Sequence, residues 1–178
     1  MLPVKSRLKS VRWDSAYYRS ETLCYLDELE DTLTHLRYEG KPSLGKNLKR
    51  TKNIIKSLKK NLNRHLMVEE GIFFPYVVKH IPKLESIIRF LHLEHQDVIK
   101  SFDRMSSLLE QIDQHNQPAQ NGKIVERAHD QGYYFICLLR HHVEDESNRI
   151  FRVIEKELNR KEKEHIRACL DGRYDGKL

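Results

Sequence analysis

His65-Leu-Met-Val-Glu69-Glu70-Gly-Ile-Phe-Phe74-Pro75 sets a histidine and a glutamate four residues apart inside a long run of helical apolar spacing. Seventy-seven residues on, the pattern returns as His142-Val-Glu-Asp-Glu146-Ser-Asn-Arg-Ile-Phe151. At that offset Leu58, Leu62, His65, Glu69 and Phe74 fall on Phe135, Leu139, His142, Glu146 and Phe151, an internal repeat of a helix-sized unit. Upstream of the first copy, Leu44, Leu48, Thr51, Ile55, Leu58 and Leu62 alternate in steps of four and three, and the steps continue through His65 and Glu69 to Ile72 and Tyr76. The polar pair therefore takes core positions of an amphipathic helix.

The same spacing marks three further helices. The first starts at Asp14 or Ser15, either of which can cap it. It runs to about Tyr38 on the seam Tyr18, Thr22, Leu26, Leu29, Leu33 and Leu36, and Gly40-Lys41-Pro42 ends it. Ser43 stands ready to cap the second helix, which fades at His80-Ile81-Pro82. The third carries Leu84, Ile88, Leu91, His95, Val98, Phe102, Met105, Leu109 and Ile112. After a loop over 114–122, the fourth carries Ala128, Phe135, Leu139, His142, Glu146, Ile150 and Val153. Four long helices on short connections predict an all-α, antiparallel up-and-down four-helix bundle. Its expected divisions are a lead-in over 1–13, the bundle over 14–158 and a charged C-terminal extension over 159–178. The extension carries a short helix around Glu162 to Leu170 and frays from Asp171.

The composition agrees with this. A chain of 178 residues buries one sizeable core, 33% of it is charged, and seven glycines and five prolines leave little room for irregular structure. No run of about 18 apolar residues provides a membrane span, and the opening MLPVKSRLKS lacks an apolar signal segment, so a cytoplasmic location is expected. Cys24, Cys137 and Cys169 are far apart and form no CxxC, which argues against a disulfide framework or a thiolate zinc site. The net charge of +6 gathers in Lys46 to Arg64 and in Lys5, Arg7, Lys9 and Arg12. Neither stretch interleaves aromatics with its basic residues, so they read as solvated faces and not as a nucleic-acid platform.

Residues equally far from a tight turn lie side by side in an antiparallel pair. Reflected through the Ile81-Pro82 turn, Glu69 meets Glu94, next to His95. Reflected through a loop centred near Pro118, His95 meets His141, beside His142. His65, Glu69, His95, His142 and Glu146 thus share one layer of the core. A histidine with a carboxylate four residues on is common: His35 with Glu39 and His141 with Asp145 also have it, against roughly one or two such pairs expected by chance. Position in the seam separates the two core pairs from these. Burying them without partners costs several kcal/mol; one bound cation satisfies both members at once, and a structural hydrogen-bond network is the alternative.

His92, one turn before His95 on the flank of the seam, is a second ligand from the third helix or an outer partner. His141 reads as exposed or outer, and Glu70 as a surface residue. His35 is excluded, because reflection sets it opposite Leu48, about 25 Å along the bundle from His65. On the first helix the level of His65 holds Tyr17 and Tyr18. Tyr18 is in phase with the seam, either as core filler or as a ligand. Cys24, His80, His115, His129 and His165 do not fall together.

His65, Glu69, Glu70, Phe74 and Pro75, then Glu94-His95, then His142, Glu146 and Phe151, resemble the hemerythrin-like, HHE cation-binding family over roughly 13–158. The resemblance implies a hemerythrin-like bundle with a non-haem di-iron centre bridged by two carboxylates. Histidines would complete each iron, and one position would stay open to dioxygen, nitric oxide or peroxide. Where the family carries a histidine on its first helix, this chain has Tyr17 and Tyr18. Two iron ions are the favoured cofactor, although manganese or zinc also suits a shell of imidazoles and carboxylates. The expected function is a cytoplasmic protein that binds or senses a small oxidant or handles iron. The alternative is a degenerate, metal-poor bundle serving as an interaction or regulatory module for an unspecified protein partner. No acid–base pair stands apart from the ligands, so nothing in the sequence identifies an enzyme.

Overall fold

A computed structural model describes residues 15–38, 43–112 and 118–170. Among them every regular element is helical. α1 spans Ser15–Tyr38, α2 Leu44–Val68, α3 Phe74–His80, α4 Glu85–Glu110, α5 Pro118–Asp145, α6 Arg152–Glu157 and α7 Arg160–Leu170. A π-turn over Glu69–Phe73 joins α2 to α3, and a second over Glu146–Phe151 joins α5 to α6. Taking α2 with α3 and α5 with α6 as single rods leaves the four long antiparallel helices that the seam spacing predicts, followed by the short α7. No helix among the described residues is long and apolar enough to cross a membrane.

The antiparallel register follows the reflection rule. Asn47 Nδ2 donates to the His35 carbonyl at 3.4 Å, and Thr22 Oγ1 donates to Asn61 Oδ1 at 3.2 Å. α1 and α5 meet at Gly132, where an added Cβ would lie 2.3 Å from Leu33 Cδ1 and 3.3 Å from Met105 Sδ. A Cβ at this position would force the buried Leu33 side chain to shift.

Two apolar clusters fill the interior. The larger joins Leu26, Leu29, Leu33, Leu48, Leu58, Leu62, Phe102, Met105, Phe135 and Leu139 among others. The smaller joins Phe73, Phe74, Val77, Leu84, Ile88, Leu91, Ile150, Ile154, Leu158 and Ile166. Ile166 brings α7 into this second cluster, so the charged extension contributes a core residue. α7 starts on a reciprocal cap: Asn159 Oδ1 accepts from the Lys161 and Glu162 amides at 2.9 and 3.1 Å, and Glu162 Oε2 accepts from the Asn159 amide at 2.8 Å.

Four expectations need correction. The seam does not continue from Glu69 to Ile72 and Tyr76: Ile72 is 37% exposed, whereas Phe73 is 1% exposed and Val77 fully buried. The π-turn inserts one residue, so that Phe74 N–H reaches back five residues to the Glu69 carbonyl and every later side chain is turned back by about 100°. The second π-turn likewise sends Ile154, not Val153, into the core. The expected loop over 114–122 is shorter, because α5 begins at Pro118, where the fixed φ of proline suits a first helical position. Ser43 holds the N-cap position of α2 but makes no side-chain cap bond. Asp14, the turn at 39–42, His115 and 171–178 lie outside the described residues.

Candidate metal centre

Both repeats place their polar pair at the same kind of junction. His65 ends α2 and Glu69 opens the first π-turn, while His142 ends α5 and Glu146 opens the second. His95 projects from the middle of α4, with its ring stacked on Phe74 at 5.6 Å between centroids. Glu69, His95, His142 and Glu146 are each at most 4% exposed. They separate the two apolar clusters, so the polar layer is walled by hydrocarbon above and below.

The ligand atoms converge. His65 Nε2 is 3.1 Å from Glu69 Oε1, His95 Nε2 is 3.2 Å from Glu69 Oε2, and the two Nε2 atoms of His95 and His142 are 3.1 Å apart. One donor atom from each of His65, Glu69, His95 and His142 lies within 4.8 Å of all the others. The Glu146 side chain makes a hydrogen bond with that of Glu69. In spite of this crowding, His65 Nε2, Glu69 Oε2 and Glu146 Oε1 are buried without a hydrogen-bond partner. Buried polar atoms are almost always satisfied, so three orphans aimed at one spot match a site built for a cation.

Two outer carboxylates fix which imidazole nitrogens face inward. Glu70 Oε1 lies 2.7 Å from His95 Nδ1, and Glu94 Oε2 lies 3.0 Å from His142 Nδ1. A carboxylate accepts, so each Nδ1 carries the proton and donates it outward. Each Nε2 then turns its lone pair to the interior, where the other is only 3.1 Å away. A metal ion held by both nitrogens would turn this contact of two lone pairs into a pair of bonds.

Burial sets the charge state of the layer. It pushes the Glu69 carboxyl up to about 8, with the neighbouring Glu70 charge adding to the rise and the Glu146 hydrogen bond opposing it. Glu146 lies well above the usual carboxylate range, first through burial and then through the charge of Glu69. Burial, with nearby imidazolium charge, brings His65 and His142 down to about 3. At neutral pH Glu69 in the ion-free chain therefore retains its proton, Glu146 is pushed in the same direction, and His65 and His142 are neutral.

Of the residues the sequence singles out, the structure brings His65, Glu69, His95, His142 and Glu146 into this layer. His92 stands outside it: its Nδ1 is 3.4 Å from Glu70 Oε1, its ring meets Phe74 edge-on, and it groups with Glu70 and His95. The side chain of Tyr18 lies outside the described residues, but its backbone belongs to α1. Because Thr22 pairs with Asn61, four residues before His65, the antiparallel register brings the Tyr18 backbone level with His65. His35 is remote, held by Asp31 at its own end of α1.

Sequence reasoning missed Glu70 and Glu94 as partners of the inner histidines. Glu70 is exposed, as its place beside the seam predicts, yet its carboxylate also holds His95. Their signal was adjacency, since each directly follows or precedes a predicted layer residue. His80 and His165 both stack on Tyr76, at 4.2 and 4.9 Å between centroids. α7 supplies His165, and apolar spacing alone sets no register for that helix.

A family model, the hemerythrin HHE cation binding domain, matches residues 22–154. The match begins within α1, includes both π-turns and all five layer residues, and ends in α6. A comparison with curated proteins finds no match.

Proposed function

Since the chain belongs to the hemerythrin HHE cation binding domain family, we propose that the layer of His65, Glu69, His95, His142 and Glu146 holds a non-haem metal centre, with two iron ions favoured. The observation that carries this reading is the 3.1 Å approach of two imidazole Nε2 atoms whose Nδ1 sides are both tied to carboxylates. Glu69 and Glu146, face to face and drawn from the two copies of the repeat, suit a pair of bridging carboxylates. Imidazole with carboxylate fits iron and also fits manganese or zinc. When bound, the metal supplies an open coordination position for a small ligand such as dioxygen, nitric oxide or peroxide.

The chain's own residues do the rest. Glu70 and Glu94 orient His95 and His142, Phe74 fixes the plane of the His95 ring, and the two apolar clusters keep bulk water from the layer. Such a site binds or senses a small oxidant, or stores the metal, with no need of a separate acid–base pair. Exposed Cys24 and Cys137, both free thiols, fit a reducing cytoplasm. Tyr18, level with His65 on α1, is our candidate for the place the family gives to a histidine, and His92 is the candidate reserve ligand beside Glu70.

Metal analysis of protein purified without chelator, with a visible spectrum recorded in air, tests the reading. About one to two ions per chain are expected, falling below half when His65 and His142 are both changed to alanine. A phenolate-to-iron band lost in Tyr18→Phe would support the tyrosine. Metal content below about one per chain and unchanged in the double variant would overturn the centre.

A further inference from the structure

The charge of α2 leads to a second site, about 16 Å along α4 from His95. Lys52, Lys56 and Lys59 follow one another in steps of four and three on one face of α2. None of their ammonium groups has an ion-pair partner among the described residues, whereas Arg50 on the same helix holds Asp31 at 3.2 Å. Like charges four residues apart destabilise a helix by a few tenths of a kcal/mol per pair, and Lys52 with Lys56 and Lys56 with Lys60 both do this. Nothing within the described chain offsets that repulsion.

These lysines line a groove of about 300 Å³ between α2 and α4. α2 and α4 touch sparingly compared with α1 and α2 or α4 and α5, so the bundle opens along this seam. Ile55 and Leu109, both buried members of the large apolar cluster, form the apolar floor of the groove. Ser106 faces the lysines from α4, and its Oγ is shut off from solvent with no hydrogen-bond partner. Glu110 stands at the lip and pairs with none of the three lysines. The groove thus offers three unneutralised cations, one unused hydroxyl donor and a hydrocarbon wall.

We infer that this groove binds a phosphorylated small molecule, with the phosphate among Lys52, Lys56, Lys59 and Ser106 and the less polar body against Ile55 and Leu109. Ammonium groups and a hydroxyl are the donors that phosphate oxygens take. The volume is at the lower end of small-molecule sites, which suits a mononucleotide-sized ligand better than a polymer. The site shares no residue with the metal layer and stands whether or not that layer is loaded.

Calorimetric titration of the full-length protein with ADP, in about 0.15 M salt to damp diffuse attraction, tests the inference. One saturable site per chain with Kd on the order of 10–100 µM is expected, with inorganic pyrophosphate binding more weakly for want of a body to set on the apolar wall. Lys56→Ala with Lys59→Ala should weaken ADP at least about tenfold, and Ser106→Ala about threefold or more, with helicity unchanged. Lys46→Ala with Lys49→Ala, the same loss of charge outside the groove, should leave Kd within about twofold. The inference is overturned by the absence of saturable binding up to about 5 mM ADP, or by equal weakening in the two lysine pairs. It is also overturned if a single-stranded oligonucleotide binds more tightly than ADP and competes with it, which would make α2 a polyanion face.

Discussion

At the scale of single residues, the layer is a set of groups whose protonation opposes itself until a metal arrives. Glu69 has a folded-state value raised from its ordinary 4.5 to about 8, so the ion-free fold favours its protonated form and loses stability as pH rises from 4.5 through 8. His65 and His142 are depressed from 6.5 to about 3, so the fold favours their neutral forms and loses stability as pH falls from 6.5 towards 3. The chelated protein should therefore have its highest Tm between these flanks, at about pH 4.5–6.5, and metal should raise Tm most towards pH 8. Calorimetry at pH 7 in buffers of different ionisation enthalpy should show about one to two protons released per chain loaded, and metal binding without proton release would contradict this charge assignment. The outer carboxylates make a second test. Glu94→Gln and Glu70→Gln keep the shape but weaken the acceptor that holds each imidazole, and should lower metal affinity about 10–100-fold while helicity is retained. Unchanged affinity in both would mean that the carboxylates do not position the histidines.

At the scale of elements, the two π-turns are what seam counting could not read. The spacing of fours and threes located Leu58, Leu62, His65 and Glu69 on one rod and Leu139, His142 and Glu146 on another, and the reflection rule set His95 between them. Beyond Glu69 and Glu146 the count failed, because periodicity assumes 3.6 residues per turn and each π-turn adds one residue. Phe73 and Val77 consequently take the places expected for Ile72 and Tyr76. Glu70 and Glu94 escaped notice for another reason: each sits beside a seam, where a carboxylate normally faces water, and only the distances to Nδ1 reveal its role. α1 depends on a close approach instead of an inserted residue. Gly132→Ala would gain about 1 kcal/mol of helix propensity but would drive a Cβ to within 2.3 Å of buried Leu33, an overpacking cost of about 1–3 kcal/mol. We expect a net loss of stability and a Tm lower by a few degrees in thermal unfolding, whereas a higher Tm would show that Leu33 can move without cost.

At the scale of the whole molecule, the bundle is two hydrocarbon cores divided by one polar layer. Each core is continuous on its own side, and the helices cross the layer without a break in backbone hydrogen bonding other than the widened π ladder. The division explains why a protein of this family should depend on its ion: the layer buries two carboxyls and two imidazoles beside a partly buried third, and three of their polar atoms have no hydrogen-bond partner. A degenerate, metal-poor bundle would instead be expected to have replaced such residues with apolar ones, which pack the same space at less cost. α7, docked through Ile166 and capped by Asn159, closes the smaller core from the C-terminal side. The most direct test of the account is anomalous scattering at a metal absorption edge from crystals of freshly purified protein, paired with metal content per chain. The account expects two iron ions between His65, Glu69, His95, His142 and Glu146. Ions found only at other positions, or no anomalous density in that layer at full protein occupancy, would contradict it.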